Sequence, residues 1–286
     1  MADNHSPHPG LSILDAFFAD LFGSTPLSTV LILGLVGLAA GFIDSIAGGG
    51  GLISVPALLS AGLDPLSALA TNKLQSTFGS FSAAVAYGRA RLIDWRTAWP
   101  MAVVAFVGSI LGAALITVLP ADVLSAVMPV MLILVAIYFA AAPRIGTETR
   151  PARISTRAFT ATLALGVGFY DGCFGPGTGS FFMIGFVVLL GFPIMRATAH
   201  TKLLNFASNL GGLLFFTLTG GVNVIIGVTM GIGQYMGAQV GARLALRSGA
   251  RLIRPLLVVV CCAMAVRLLL DPANPLRVIV TRLIAH

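Results

Sequence analysis

Between residues 27 and 270 the chain is divided into ten apolar runs separated by short loops, at about 27–47, 51–61, 66–87, 97–119 and 122–142, then 158–173, 178–191, 195–219, 222–246 and 252–270. A helix needs roughly 20 such residues to cross a ~30 Å hydrocarbon core. Inside lipid, backbone groups must find their partners within the protein, so runs of this kind are read as helices. Only 9% of the 286 residues are charged, while 57% are hydrophobic. A soluble domain carries roughly 25% charged residues, so water-soluble enzyme folds are excluded. The expected fold is an all-α polytopic membrane helix bundle of about ten spans, with the lipid bilayer as its solvent. Residues 1–26 are read as an N-terminal tail and interfacial helix, and 271–286 as a C-terminal tail.

The basic balance, a pI near 10.0, does not describe a nucleic-acid face, because the arginines sit in clusters between apolar runs: Arg89, Arg91, Arg96; Arg144, Arg150, Arg153, Arg157; Arg243, Arg247, Arg251, Arg254. Such clusters orient membrane spans with the basic loops in the cytoplasm. With ten spans, twelve arginines fall on one side and two, Arg277 and Arg282, on the other. Both termini are then expected outside the cytoplasm. Cys173, Cys261 and Cys262 have no metal-ligand spacing, so neither a zinc site nor a disulfide framework is indicated, and no cofactor is expected. The first ten residues lack a basic n-region, which argues against a cleaved signal peptide.

Five runs on each side of a basic linker at 143–157 suggest an internal repeat, with membrane halves at 27–142 and 158–270. Gly41-Phe42-x-Asp44 returns as Gly168-Phe169-x-Asp171, and Gly48 and Gly50 return as Gly175 and Gly177, at an offset of 127. At an offset of 129, Lys73, Leu74, Gly108 and Gly112 return as Lys202, Leu203, Gly237 and Gly241. The chain has two lysines, and both occupy the same repeat position. An odd number of spans per half makes the halves inverted about an axis in the membrane plane. If the short second run of each half does not span, the repeats become parallel; the arginine count favours ten spans.

A glycine-rich break precedes each short second run, Gly48-Gly49-Gly50-Gly51 in one half and Gly175-Pro176-Gly177-Thr178-Gly179 in the other. Interrupted helices at matching positions point to a transport site, and the new helix start presents N–H groups that suit an anion. Tight packing or a plain turn is the competing explanation. The third runs are polar for spans: Thr71-Asn72-Lys73-Leu74-Gln75-Ser76 and His200-Thr201-Lys202-Leu203-Leu204-Asn205, followed by Ser208 and Asn209. Each lysine lies eight residues into its run, about 12 Å deep at 1.5 Å per residue. A cation at that depth is costly and marks a functional candidate; a snorkelling or salt-bridged lysine is the alternative. The candidate substrate-binding set is therefore Lys73, Lys202, Thr71, Asn72, Gln75, Ser76, His200, Thr201, Asn205, Gly49, Gly50, Gly51, Gly177, Thr178 and Gly179. Asp44 and Asp171 can cap the breaks, partner the lysines or carry a coupling proton, a role also open to His200. Gly108-x-x-x-Gly112 and Gly233-x-x-x-Gly237-x-x-x-Gly241 are read as close-packing helix faces.

The blocks Gly41-Phe42-Ile43-Asp44, Gly48-Gly49-Gly50-Gly51, Pro56, Thr71-Asn72-Lys73, Thr201-Lys202, Asn205, Asn209 and Gly237-Ala238-Gln239-Val240-Gly241-Ala242-Arg243 resemble the sulfite exporter TauE/SafE family over about residues 27–270. That resemblance implies transport of a small sulfur-containing anion, sulfite or an organosulfonate, across the bacterial cytoplasmic membrane. Pro176 and Thr178 depart from a plain glycine run, so the two half-sites need not bind alike. The leading expectation is a secondary transporter of a small oxyanion working by alternating access of inverted halves. An anion channel is the next alternative. A membrane-embedded enzyme ranks below it, because no metal-binding or nucleophile–base motif is present. The sequence is compatible with a homo-oligomer. A cysteine introduced at Leu92 should react with a label applied from the cytoplasm and one at Gly221 with a label from outside; the reverse pattern would refute the orientation.

Overall fold

A computed structural model describes residues 27–120, 123, 124, 127 and 151–248. Most of the fifth run, all of the tenth, both tails and most of the linker lie outside the described residues. Among the described residues the chain is helical throughout: α1 (Leu27–Ala47), α2 (Gly51–Ser60), α3 (Pro65–Arg89) and α4 (Trp95–Thr117) in the first half. The second half holds α5 (Thr156–Phe159), a π-helical turn (Thr160–Ala164), α6 (Leu165–Cys173), α7 (Thr178–Val188), α8 (Ile194–Thr219) and α9 (Val224–Ser248).

Local chemistry sets the boundaries. Gly48 and Gly49 take φ of 78° and 94°, a conformation that ends α1 and that side chains other than glycine rarely adopt. Gly175 and Gly177, at 88° and 85°, do the same between α6 and α7. Asp64 caps α3, its carboxylate accepting the Leu66 and Ser67 N–H groups at 3.1 Å, with Pro65 pre-set for the first helical position. Ser155 caps α5 through the Ala158 N–H at 3.2 Å.

The short second helices double back. Leu58 near the end of α2 shares an apolar cluster with Leu33 of α1 and Ala68 of α3, while Tyr87 at the far end of α3 donates to the Ser45 carbonyl of α1 at 2.9 Å. α1 and α3 therefore run the same way, with α2 returning between them. α2 has ten residues and α7 eleven, about 15–17 Å of helix at 1.5 Å per residue, roughly half a bilayer core.

The halves interlock by exchange. α9, the counterpart of α4, packs along α1; α4 packs along α6, the counterpart of α1. Glycines carry both contacts. A methyl group at Gly112 would overlap the Phe169 carbonyl, and one at Gly237 the Leu38 carbonyl, so the backbones approach as small-residue faces allow. The counterparts α3 and α8 lie antiparallel: Lys73 sits beside Gly212, and further along α3 the Phe81 ring is 5.3 Å from Phe206.

Polarity is inverted relative to a soluble protein. Leu218 is 79% exposed and Leu35 68%, whereas Lys73 and Gln75 are fully buried. Water would penalise such an exterior, and lipid matches it. α1 and α4 are each long and apolar enough to cross a membrane unaided. Gly237→Ala should cost about 1–3 kcal/mol through overpacking, read as a lower unfolding temperature in detergent. Gly166→Ala, with nothing within 4 Å of the added methyl, should be neutral or slightly stabilising.

Candidate functional site

The two glycine breaks meet. Gly48 lies against the backbone of Gly179 and Ser180, and Gly51 against Pro176. The Ser180 hydroxyl donates to the Ala47 carbonyl at 2.9 Å, tying the end of α1 to the start of α7. A side chain at Gly48 would collide with that backbone, so both its φ and its surroundings require glycine.

Around this junction the two lysines pair with the two aspartates in crossed fashion. Lys73 of α3 meets the Asp171 carboxylate of α6 at 2.8 Å, and Lys202 of α8 meets the Asp44 carboxylate of α1 at 3.1 Å. Each ammonium also donates to the main-chain carbonyl of the same aspartate; the Asp44 carbonyl accepts the Gly48 N–H at 2.9 Å as well. All four side chains are below a tenth exposed. The lysines are thus salt-bridged, one of the alternatives left open by the sequence, and the aspartates both partner them and brace the breaks. Asp44 Oδ1 accepts the Gly50 N–H at 3.2 Å, and Asp171 Oδ1 accepts the Thr178 hydroxyl at 2.9 Å.

Between the pairs is a polar cavity of about 10 Å³, room for about one water molecule. Asp44, Gly49, Gly51, Asn72 and Ser76 line it from the first half. Asp171, Gly175, Gly177, Thr178, Gly179, Asn205 and Asn209 line it from the second. The Asn72 carbonyl oxygen is held by the Ser54 hydroxyl at 2.7 Å and the Gln75 amide at 2.8 Å, leaving its amide nitrogen beside Gly175. The Asn205 amide nitrogen lies close to Gly179, as does the Lys202 ammonium. Hydrogen-bond donors from both halves thus converge on a closed pocket.

Most of the sequence-derived set comes together here, but not all. Gln75 stands one shell back, oriented onto Asn72. Thr201 is buried, and its hydroxyl has no partner. Thr71 points away and accepts the Asn223 N–H at 3.0 Å. His200 is also elsewhere. One ring nitrogen accepts the Asp94 N–H at 3.2 Å, the other meets the Arg196 carbonyl at 2.8 Å, and its ring packs on Phe192 and Phe186. One nitrogen holds the α3–α4 loop and the other is committed to a carbonyl of its own helix, which corrects the grouping of His200 with the lysines. Gly175 and Asn209 also line the cavity but are outside the sequence-derived binding set; Gly175 opens the second glycine break and Asn209 lies one turn beyond Asn205, which were the available signals. Among the described residues no group of three or more His, Cys, Asp and Glu could hold a metal.

A family model described as "Sulfite exporter TauE/SafE" matches residues 33–268. The probable membrane transporter protein ORF9 of Sinorhizobium sp is 53% identical over 239 residues, covering 84% of this chain and 92% of that protein. The probable membrane transporter protein YfcA of Escherichia coli strain K12 is 46% identical over 254 residues, 89% of this chain and 94% of that protein. YdhB of Bacillus subtilis, also named a probable membrane transporter protein, is 30% identical over 217 residues, with 75% and 88% covered. No solved structure matches the chain.

Removing one member of a buried ion pair strands the other charge, at about 3–5 kcal/mol. Lys73→Met should lower stability by that amount, and adding Asp171→Asn should recover much of it. Additive losses in the double-mutant cycle, followed by thermal unfolding in detergent, would show that the pair is not coupled.

Proposed function

The chain belongs to the sulfite exporter TauE/SafE family, a family of membrane transporters, and from that premise we propose that it carries a small sulfur-containing oxyanion, sulfite or an organosulfonate, across the bacterial cytoplasmic membrane. The observation that carries this reading is the pair of buried lysines, each ion-paired to an aspartate that lines one polar cavity together with amide and hydroxyl side chains from both halves. Each ammonium group is costly to insert at this depth, and the recurrence of both at the same repeat position supports a shared role in binding.

Within the site Lys73 and Lys202 supply the positive charge. Asn72, Ser76, Thr178 and Asn205 give directional hydrogen bonds, and the backbone of Gly49, Gly51, Gly177 and Gly179 lets the ligand approach closely. Asp44 and Asp171 occupy the lysines while the cavity is closed and stand where an oxyanion would bind. The anion then enters by exchange with the carboxylates, and the cavity has to widen to admit it.

The antiparallel relation of α3 and α8 supports inverted halves, and the doubling back of α2 preserves the order of sides on which the arginine count rests. Ten passes, arginine-rich loops in the cytoplasm and a rocking of one half against the other form a consistent scheme for alternating access. A cavity with room for about one water molecule favours a carrier that has to open for its ligand over a channel, which would hold a continuous path.

Thermal unfolding of the purified protein with sulfite, thiosulfate, sulfate, methanesulfonate, taurine and matched carboxylates tests the ligand class. A ligand at 100 times its dissociation constant stabilises by about 2.7 kcal/mol. Sulfur oxyanions should stabilise the wild type, and proteoliposomes should move the same anions saturably. Lys202→Ala should lose both effects while remaining inserted in the membrane. Normal flux in Lys202→Ala would refute the site, and stabilisation by carboxylates alone would refute the ligand class.

A further inference from the structure

We propose that Asp171 is the seat of a proton that accompanies each anion, so that a monoanion and a proton cross together without net charge movement. This rests on the transport reading above and deepens it by naming the coupling ion, its carrier and the charge of the substrate.

The first ground is charge balance. Lys73 and Lys202 are opposed by Asp44 and Asp171, so the closed site is neutral. An anion entering a neutral, water-poor cavity loses its hydration and meets no free countercharge. Adding one proton from solution to a carboxylate makes it a neutral acid, frees one lysine and leaves the site at +1. A monoanion then restores neutrality. On release the anion departs, the proton returns to solution and the lysine recaptures the carboxylate; no covalent bond to the substrate forms or breaks. A dianion would leave an uncompensated −1, so hydrogensulfite or a sulfonate is favoured over sulfate.

The second ground selects the residue. The two aspartates occupy equivalent repeat positions but are not held alike. Asp44 spreads its donors, with the Gly50 N–H on Oδ1 and Lys202 on Oδ2. Asp171 takes both of its donors, Lys73 and the Thr178 hydroxyl, on Oδ1. Its Oδ2 is buried and has no hydrogen-bond partner among the described residues, although the residue lines the cavity. An ionised oxygen left bare in the interior is unfavourable; a proton on Oδ2 removes the charge and turns an orphaned acceptor into a donor. The difference traces to the sequence. At the position of Gly51 the second half has Thr178, whose hydroxyl lies 2.9 Å from the oxygen Lys73 already uses and 2.7 Å from the Gly175 carbonyl.

The other groups around Asp171 are accounted for. From α3 it faces Lys73 and from α7 Thr178, and Asn72 of α3 with Asn205 and Asn209 of α8 line the same cavity. On its own helix the Tyr170 hydroxyl donates to Pro176 at 2.7 Å and the Cys173 thiol to Gly112 at 3.3 Å. Lys202 and Asp44 form the second ion pair at the same cavity. None of these supplies a proton to Oδ2.

The test uses proteoliposomes of the full chain enclosing a pH-sensitive dye, with methanesulfonate, a monoanion that does not itself titrate, and sulfite as probes. The wild type should move one proton per anion, at a rate indifferent to a clamped membrane potential. Anion flux that responds to potential and carries no proton would overturn the proton while leaving transport intact. No flux of any probe would overturn the transport reading, and this one with it. Infrared difference spectra of the purified protein give a second readout. Anion addition should raise a protonated-carboxyl band in the wild type, shifted in frequency in the charge-conserving variant Asp171→Glu and unmoved in Asp44→Glu. An unmoved band in Asp171→Glu, or a shifted one in Asp44→Glu, would overturn the assignment. If Asp171→Glu fails to fold, the wild-type ratio and the Asp44→Glu spectrum decide.

Discussion

An ammonium group held away from water must be answered by an acceptor of opposite charge, and the arrangement of this protein follows from where those acceptors are. Each lysine finds its carboxylate on the other half of the chain. For that to happen the first helix of each half must lie within reach of the third helix of the other. The glycine faces of α1 with α9 and of α4 with α6 provide the approach. Helices in lipid gain little from apolar burial against one another, so close backbone packing and polar contacts must hold them. Here the two work together, since the glycine contacts bring the helix ends near enough for the ion pairs.

The breaks between α1 and α2 and between α6 and α7 belong to the same scheme. Ending the helix at glycine brings the side chain and the carbonyl of Asp44 and Asp171 to the lysine opposite, the Asp44 carbonyl keeping its bond from the Gly48 N–H as well. Half-length α2 and α7 then occupy the space a full span would have filled, and the cavity lies where their starts converge. Breaks of this kind survive at membrane depth because protein rather than lipid surrounds them.

Much of this was legible in the sequence, for physical reasons. The lysine duplication stood out because only two lysines occur, and the glycine faces and breaks because their spacing has few other uses in an apolar helix. Crossed pairing was not legible, because the partners are 98 and 158 residues apart and the duplication offers each lysine two equivalent aspartates. His200 illustrates another limit. It replaces Thr71 of the first half and sits two residues from a buried lysine, yet on a helix that offset turns it toward a different neighbourhood. There it accepts the Asp94 N–H of the loop before α4, as Thr71 accepts that of Asn223, the counterpart of Asp94 at the offset of 129; the pairing crosses between the halves, which the offset alone does not announce. The uneven bracing of the two aspartates was visible only as Thr178 in place of a glycine.

The crossing of the ion pairs also has a consequence in time. A ribosome adding roughly 5–20 residues per second needs about 5–20 s to pass from Lys73 to Asp171, a separation of 98 residues. For Asp44 and Lys202, 158 residues apart, the delay is longer still. During that interval the nascent first half holds a cation and an anion whose final partners have not been synthesised. Biogenesis of this protein therefore requires the insertion machinery to retain the first five segments in a polar shelter, or the two groups to satisfy each other provisionally and exchange partners when the second half arrives.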